Sequence, residues 1–257
     1  MALDIEITRE HSFCPGVERA FRITERILFD RGGRAYSLGP LIHNPEVVRR
    51  LSMLGLEVLD PAGELPRLEG VPVIIRSHGI DLQTEERLLR TGSDLVDATC
   101  PKVKRAQQAA RELASSGCRV FLLGSADHPE VASIVGRTDA QVIVVESPLE
   151  AERLSGELNP GEKIGLICQT TLTREMFDEV KDALARSGRE VEVRDTICES
   201  LSARRLQARS LAESADIMLV VGGRNSSNTA RLAEMCSRIT ETRHIESPEE
   251  ISPLWLQ

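Results

Sequence analysis

The sequence predicts an α/β protein of three lobes, related by pseudo-threefold symmetry and each built on a parallel sheet. Apolar β-branched runs alternate with amphipathic helical stretches, the pattern of βαβ units. The whole pattern returns about every 90 residues, a period far longer than the ~20–50 residues of a solenoid repeat. Aromatic residues are only 3% of a chain that is 41% hydrophobic, so the core must be Val, Ile and Leu, which suits buried parallel strands.

Each repeat opens with a strand, a cysteine and a helix. The three copies are "LDIEITREHSFCPGVERAFRITERIL", "SDLVDATCPKVKRAQQAARELASSG" and "REVEVRDTICESLSARRLQARSLAES", around Cys14, Cys100 and Cys198. In the second and third copies an Asp-x-x-Cys precedes the helix, at Asp97 and Asp195. A strand ending in a glycine turn follows: "AYSLGPLIHNPEVVRRL", "RVFLLGSADHPEVASIV" and "IMLVVGGRNSSNTARLAEM". Next come "LEVLDPAGEL", "VIVVESPLEA" and "RHIESPEEIS", short strands with an acidic, proline-containing helix start. The Ser-Pro pairs supply an N-cap and a first helical residue. The last element is an apolar strand with a polar turn, "VPVIIRSHGIDLQTEERLL" and "KIGLICQTTLTREMFDEV". It has no third copy, so the third lobe is expected to lack its last strand. The lobes are set at residues 1–92, 93–188 and 189–257. No long linker separates them, which predicts packing around a shared centre.

Net charge is −8 with scattered basic residues, which argues against a nucleic-acid-binding stripe. No apolar run approaches the ~18–20 residues of a membrane helix. The N-terminal stretch lacks the basic and apolar regions of a signal peptide. The expected location is the cytoplasm, where six cysteines do not form a disulfide framework.

In open parallel sheets, ligands gather beyond the carboxyl ends of the strands. Cys14, Cys100 and Cys198 all fall there. Three converging thiolates suit a soft metal centre. Zinc prefers four ligands and short Cys-x-x-Cys spacing, and no such pair occurs. A [4Fe–4S] cluster held by three cysteines has one iron open to substrate, a Lewis acid and an electron source. The bland alternative is three buried core thiols. Cys118, Cys168 and Cys236 have no equivalent positions and are expected to pack.

His43, His78 and His128 lie in strand-end loops of the first two lobes, and Asn225, Ser226, Ser227 and Asn228 occupy the matching loop of the third. Imidazoles, hydroxyls and helix N-termini together suit a phosphate group. A structural, hydrogen-bonded role is the alternative for each histidine. Glu130 is either a buried proton donor of raised pKa or a solvated helix-start acid. Thr170 and Thr171 either cap the next helix or turn a hydroxyl to the substrate. His11 and His244 are expected to be ordinary surface or packing residues.

The ordered motifs "FCPGVERA", "LGPLIHNPEVV", "IRSHGI", "DATCPKV", "HPEV", "QTT", "DTIC" and "NSSNTARL" resemble the 4-hydroxy-3-methylbut-2-enyl diphosphate reductase family, from about Phe13 onward. The resemblance implies a three-lobed trefoil around an oxygen-sensitive [4Fe–4S] cluster on Cys14, Cys100 and Cys198. It implies that His43, His78, His128, Ser226, Ser227 and Asn228 hold the diphosphate. Glu130 would relay protons, and Thr170 would stand beside the substrate alcohol. The implied reaction is reductive dehydroxylation to isopentenyl and dimethylallyl diphosphate, the last step of the methylerythritol phosphate route. Electrons would come from a ferredoxin or flavodoxin, whose docking on an acidic chain would need a local basic patch such as Arg204, Arg205 and Arg209; the alternative for that patch is a solvated helix face. Two departures stand out: Ser12 replaces the usual glycine before Phe-Cys, and a Gly-Ala-Ser segment holding a further diphosphate donor is not in the sequence.

Overall fold

The computed structural model of the protein describes residues 3–138 and 140–256. Three parallel sheets carry the fold. The first contains β1 (Ala35–Leu38), β2 (Leu56–Leu59), β3 (Pro72–Ile75) and β4 (Asp94–Asp97), in the order β2-β1-β3-β4. Helices α1 (Pro15–Asp30) and α2 (Pro45–Met53) cover one face through Ala20, Leu28, Val47 and Leu51. Helix α3 (Leu82–Arg90) seals the other through Leu88. β3 is buried along its whole length, which is why it reads as an unbroken apolar run.

The second sheet repeats this arrangement. It joins β5 (Cys118–Leu123), β6 (Val142–Val145), β7 (Lys163–Cys168) and β8 (Val191–Val193) in the order β6-β5-β7-β8. Helices α4 (Pro101–Ser115) and α5 (Pro129–Val135) pack on one face, and α6 (Pro148–Gly156) and α7 (Arg174–Ala185) on the other. Ser147 caps α6 by accepting from the Glu150 N–H, as the Ser-Pro pair predicts. The third sheet, among the described residues, is the parallel pair β9 (Ile217–Val221) and β10 (Glu241–Ile245), with α8 (Glu199–Ala212) and α9 (Ser227–Ser237). Its core of Ala208, Ala212, Met218, Val220, Ala233 and Cys236 is smaller than the others.

Strand pairing moves the boundaries set from sequence. β4 lies beyond residue 92 yet pairs with β3, so it completes the first sheet. β8 lies beyond residue 188 yet pairs with β7, so it completes the second. Cys100 and Cys198 therefore sit where the chain leaves one sheet and begins a helix. The strand expected at "LDIEI" does not form: Leu3, Ile5 and Ile7 are exposed at 56%, 78% and 72%. By the rule that β4 and β8 follow, this segment would pair with a third strand of the third sheet, and none lies among the described residues to receive it. "LDPAGEL" is a turn rather than a helix start, and "SPEE" makes only a single 3₁₀ turn, Pro248–Glu250.

Candidate active site between the three sheets

The three repeat cysteines are the N-cap residues of α1, α4 and α8. An Asx turn sets up two of them: Asp97 accepts from the Thr99 N–H at 2.9 Å, and Asp195 from the Ile197 N–H at 3.0 Å. This explains the Asp-x-x-Cys spacing. The Cys100 N–H then donates to Ser77 O (2.9 Å) and the Cys198 N–H to Thr170 O (3.0 Å), fastening each cysteine to the loop after the sheet's third strand. Cys14 is held differently. Arg204 donates to the carbonyls of Ser12 (2.6 Å) and Phe13 (2.9 Å). Ser12 has φ +68°, a left-handed conformation that glycine adopts without cost.

The sulfurs meet. A Cβ added at Gly16 would lie 2.5 Å from Cys100 Sγ and 4.0 Å from Cys14 Sγ. Burial pushes the Cys100 thiol up, opposed by the N–H groups of Lys102 and Val103 and reinforced by Cys14 and Cys198 nearby. The donor set is three free thiols at three helix N-termini, each favouring negative charge. The helix dipoles and the glycine cradle fit an anionic metal–thiolate group. The remaining thiols do not join them. Cys118 and Cys236 are core residues, and Cys168, fully buried beside Thr196, is pushed up to about 12 by burial.

Ser77, whose carbonyl holds Cys100, is followed by His78, one of three clustered imidazoles. Ring centroids are 4.7 Å apart for His43 and His78, 5.5 Å for His78 and His128, and 6.2 Å for His43 and His128. His128 caps α5, its Nδ1 accepting from the Glu130 N–H at 3.1 Å. Its proton therefore sits on Nε2. Burial lowers His43, brings His128 down to about 4 and holds His78 well below its usual value, so all three are neutral at pH 7. His78 Nδ1 is buried with no partner, a vacant bonding position in the middle of the trio. The loop of His78 is tied to α5 by Ser133, whose hydroxyl lies 2.8 Å from His78 O.

Glu130 is 2% exposed, so the helix-start alternative falls. Its Oε1 accepts from the Thr170 N–H at 2.7 Å, and its Oε2 from the Thr170 hydroxyl at 3.0 Å. Burial pushes its carboxyl up to about 7 despite these bonds. The capping alternative for Thr170 and Thr171 also falls, because Thr173 caps α7. Thr171 Oγ1 accepts from Gln169 (2.9 Å) and lies 3.0 Å from Ser227 Oγ, joining the second and third sheets. Ser226 caps α9, accepting from Thr229, and Ser227 and Asn228 open that helix, half-buried.

Other expectations resolve as packing. His244 bonds Gly222 O at 2.9 Å, and His11 bonds Thr8 O at 3.0 Å in an exposed turn. The arginine docking patch dissolves. Arg204 clamps the Cys14 turn, Arg205 is buried on the carbonyls of Thr171 and Leu172, and Arg209 pairs with Glu213.

One residue was not singled out by sequence reasoning. A side chain at Gly223 would overlap the His43 carbonyl, and its Cβ would come 3.4 Å from Asn44 Cα. Only a glycine lets the third sheet's loop close against the first. Its signal in the sequence is the doubled glycine of "VVGGRNSSN". Gly223→Ala is expected to raise KM several-fold by displacing His43, and to cost about 1–3 kcal/mol of stability, as overpacking does. Steady-state kinetics with thermal unfolding checks both.

The LytB protein family profile matches residues 5–257. A 4-hydroxy-3-methylbut-2-enyl diphosphate reductase of Geobacter metallireducens is 40% identical, across 99% of this chain and 88% of its own. The Aquifex aeolicus protein of the same name is also 40% identical, across 99% and 87%. A solved structure of (E)-4-hydroxy-3-methyl-but-2-enyl diphosphate reductase, described as the terminal enzyme of the non-mevalonate pathway, has TM-score 0.74 and 39% identity, covering 99% of this chain and 90% of that one. The Plasmodium falciparum E-1-hydroxy-2-methyl-but-2-enyl-4-diphosphate reductase shares the fold at TM-score 0.87 with 22% identity, covering 96% of this chain and 78% of that one.

Proposed function

The chain belongs to the LytB protein family, and on that premise we propose that it performs the reaction its curated relatives are named for. It reduces 4-hydroxy-3-methylbut-2-enyl diphosphate, the terminal step of the non-mevalonate pathway. Two electrons and two protons enter, the allylic hydroxyl leaves as water, and isopentenyl and dimethylallyl diphosphate are the products. The fold is then a trefoil of three lobes closing on one cavity. The observation that carries the reading is the meeting of three cysteine-capped helix N-termini beside a buried acid and three neutral imidazoles.

Cys14, Cys100 and Cys198 would hold a [4Fe–4S] cluster. When bound, it supplies single electrons and a Lewis-acidic iron with no protein ligand. The chain's own groups do the rest. The imidazoles of His43, His78 and His128 donate hydrogen bonds to the diphosphate, joined by Ser226, Ser227 and Asn228 from the N-terminus of α9. Glu130, protonated near neutral pH, can donate to Thr170 Oγ1. That frees the threonine hydroxyl to turn its proton toward the departing oxygen, a two-residue relay. An anionic diphosphate nearby raises the Glu130 pKa further and keeps the acid loaded. A ferredoxin or flavodoxin supplies the electrons. No helix among the described residues is long and apolar enough to cross a membrane.

The test is anaerobic. The purified chain is expected to hold four irons and four labile sulfides, and addition of substrate to change the Mössbauer signal of one iron. With a low-potential reductant it should turn substrate over. A protein containing zinc and no sulfide would overturn the reading. A cluster that ignores substrate would instead point to an iron–sulfur sensor.

A further inference from the structure

The imidazoles provide donors without charge, yet a diphosphate is multiply anionic. Positive charge already standing beside the empty pocket would favour its entry. Most arginines of this chain lie at the surface in ion pairs, such as Arg22 with Glu18, Arg49 with Glu46 and Arg153 with Glu157. Arg76 and Arg231 are different. Neither belongs to an ion pair among the described residues, both are half-buried, and the Nε of each is buried without a partner. A guanidinium sheltered from water with no anion is costly, so an unpaired one implies an absent partner.

Their positions say which partner. Arg76 follows β3 and opens the turn that carries His78, its carbonyl accepting from the Gly79 N–H at 3.0 Å. Its Nη1 would lie 2.8 Å from a Cβ at Gly39, a residue with φ +72° in the loop that leads to His43. Arg231 stands one turn after Ser227 on α9 and reaches Met176 Sδ at 3.3 Å. It therefore reaches from α9 toward the second sheet, which carries His128. The charge of Arg76 acts on all three imidazoles and that of Arg231 on His128. Arg205 makes the contrast: it too lacks a carboxylate, but two carbonyls occupy it.

We propose that Arg76 and Arg231 bind the diphosphate end of the substrate and supply its counter-charge, one from each side of the histidine trio. This rests on the reading of the site as a diphosphate pocket. It assigns the roles differently within that pocket: imidazoles and hydroxyls fix orientation, and the two guanidiniums supply affinity. Burying them unpaired makes the empty pocket electropositive, which draws the anion in.

The experiment measures binding of inorganic diphosphate to the anaerobically prepared, cluster-containing protein by calorimetry, at several salt concentrations. Arg76→Gln and Arg231→Gln are each expected to weaken binding about 10- to 100-fold, the scale of a lost hydrogen bond to a charged group. Both should flatten the salt dependence. Arg76→Lys should recover much of the loss. With substrate, KM should rise and kcat stay within a few-fold. If wild type binds and both Gln variants, folded by thermal melt, bind within two-fold of it, the inference is overturned. Should a Gln variant fail to fold, wild-type affinity independent of salt would overturn it alone. If wild type does not bind diphosphate at all, the reading of the pocket itself falls.

Discussion

Glu130→Gln is expected to lower kcat by two to four orders of magnitude while iron content and substrate affinity stay near wild type. That is the usual size of a general acid's contribution. The amide keeps the shape and both Thr170 contacts but has no proton to give. Single-turnover kinetics on the cluster-containing variant, with KM measured alongside, checks it. A variant within ten-fold of wild type in kcat would remove Glu130 from the relay. In the wild type, activity should decline as pH rises through the region at or above 7, where the carboxyl loses its proton.

The same substitution has an opposite effect on stability. The Glu130 carboxyl is raised in the folded chain, to about 7 from an ordinary 4.5, so folding retains a proton that the unfolded chain gives up. Its contribution is full below the ordinary carboxylate range and is lost as pH rises through about 7. The loss levels off at about 3 kcal/mol in alkaline solution. Glu130→Gln should therefore melt close to wild type at pH 5 and above it at pH 8. The buried acid weakens the fold at the pH where it works.

Serine at Cys14, Cys100 or Cys198 is expected to abolish activity and bring iron to near zero per chain. Two thiolates do not retain a cluster that needs three, and a hydroxyl stays protonated where a thiol ionises. Cys236→Ala is the control: Cys236 lies on the buried face of α9, and the variant should keep full iron content at a modest cost in stability. Iron and sulfide analysis with far-ultraviolet circular dichroism separates loss of cluster from loss of fold. Full iron content in any of the three serine variants would remove that cysteine from the ligand set.

Much of the fold and site is legible in the sequence because the repeat is. Strands, Gly turns and cysteine N-caps recur in register, and periodicity is a local signal that survives without coordinates. The partner of a strand is not local. Nothing within "DLVD" or "VEV" says that each joins the sheet before it rather than the one after. "LDIEI" alternates as a strand should, yet makes none, because alternation describes a side-chain pattern and not an available edge. The site's chemistry divides in the same way. Cysteines, histidines and Glu130 announce themselves by residue type. Arg76, Arg231 and Gly223 do not, because an arginine becomes informative only when its ion pair is seen to be missing, and a glycine only when its neighbour is seen to be too close.

The crossing of the chain from sheet to sheet at Cys100 and Cys198 also bears on the order of folding. β1 to β4 close within residues 35–97, and β5 to β8 within 118–193. The pairings of each sheet thus stay within its own segment, which can fold as it emerges during synthesis. The pocket has no such segment. Its thiols, imidazoles and hydroxyls come from segments up to the length of the chain apart, and it exists only once the finished units dock. On the proposed reading, a cluster would therefore enter late, on an already folded chain. An oxidant that strips the centre should loosen the seams between units while leaving each of the first two sheets intact, and hydrogen exchange would show the release there first.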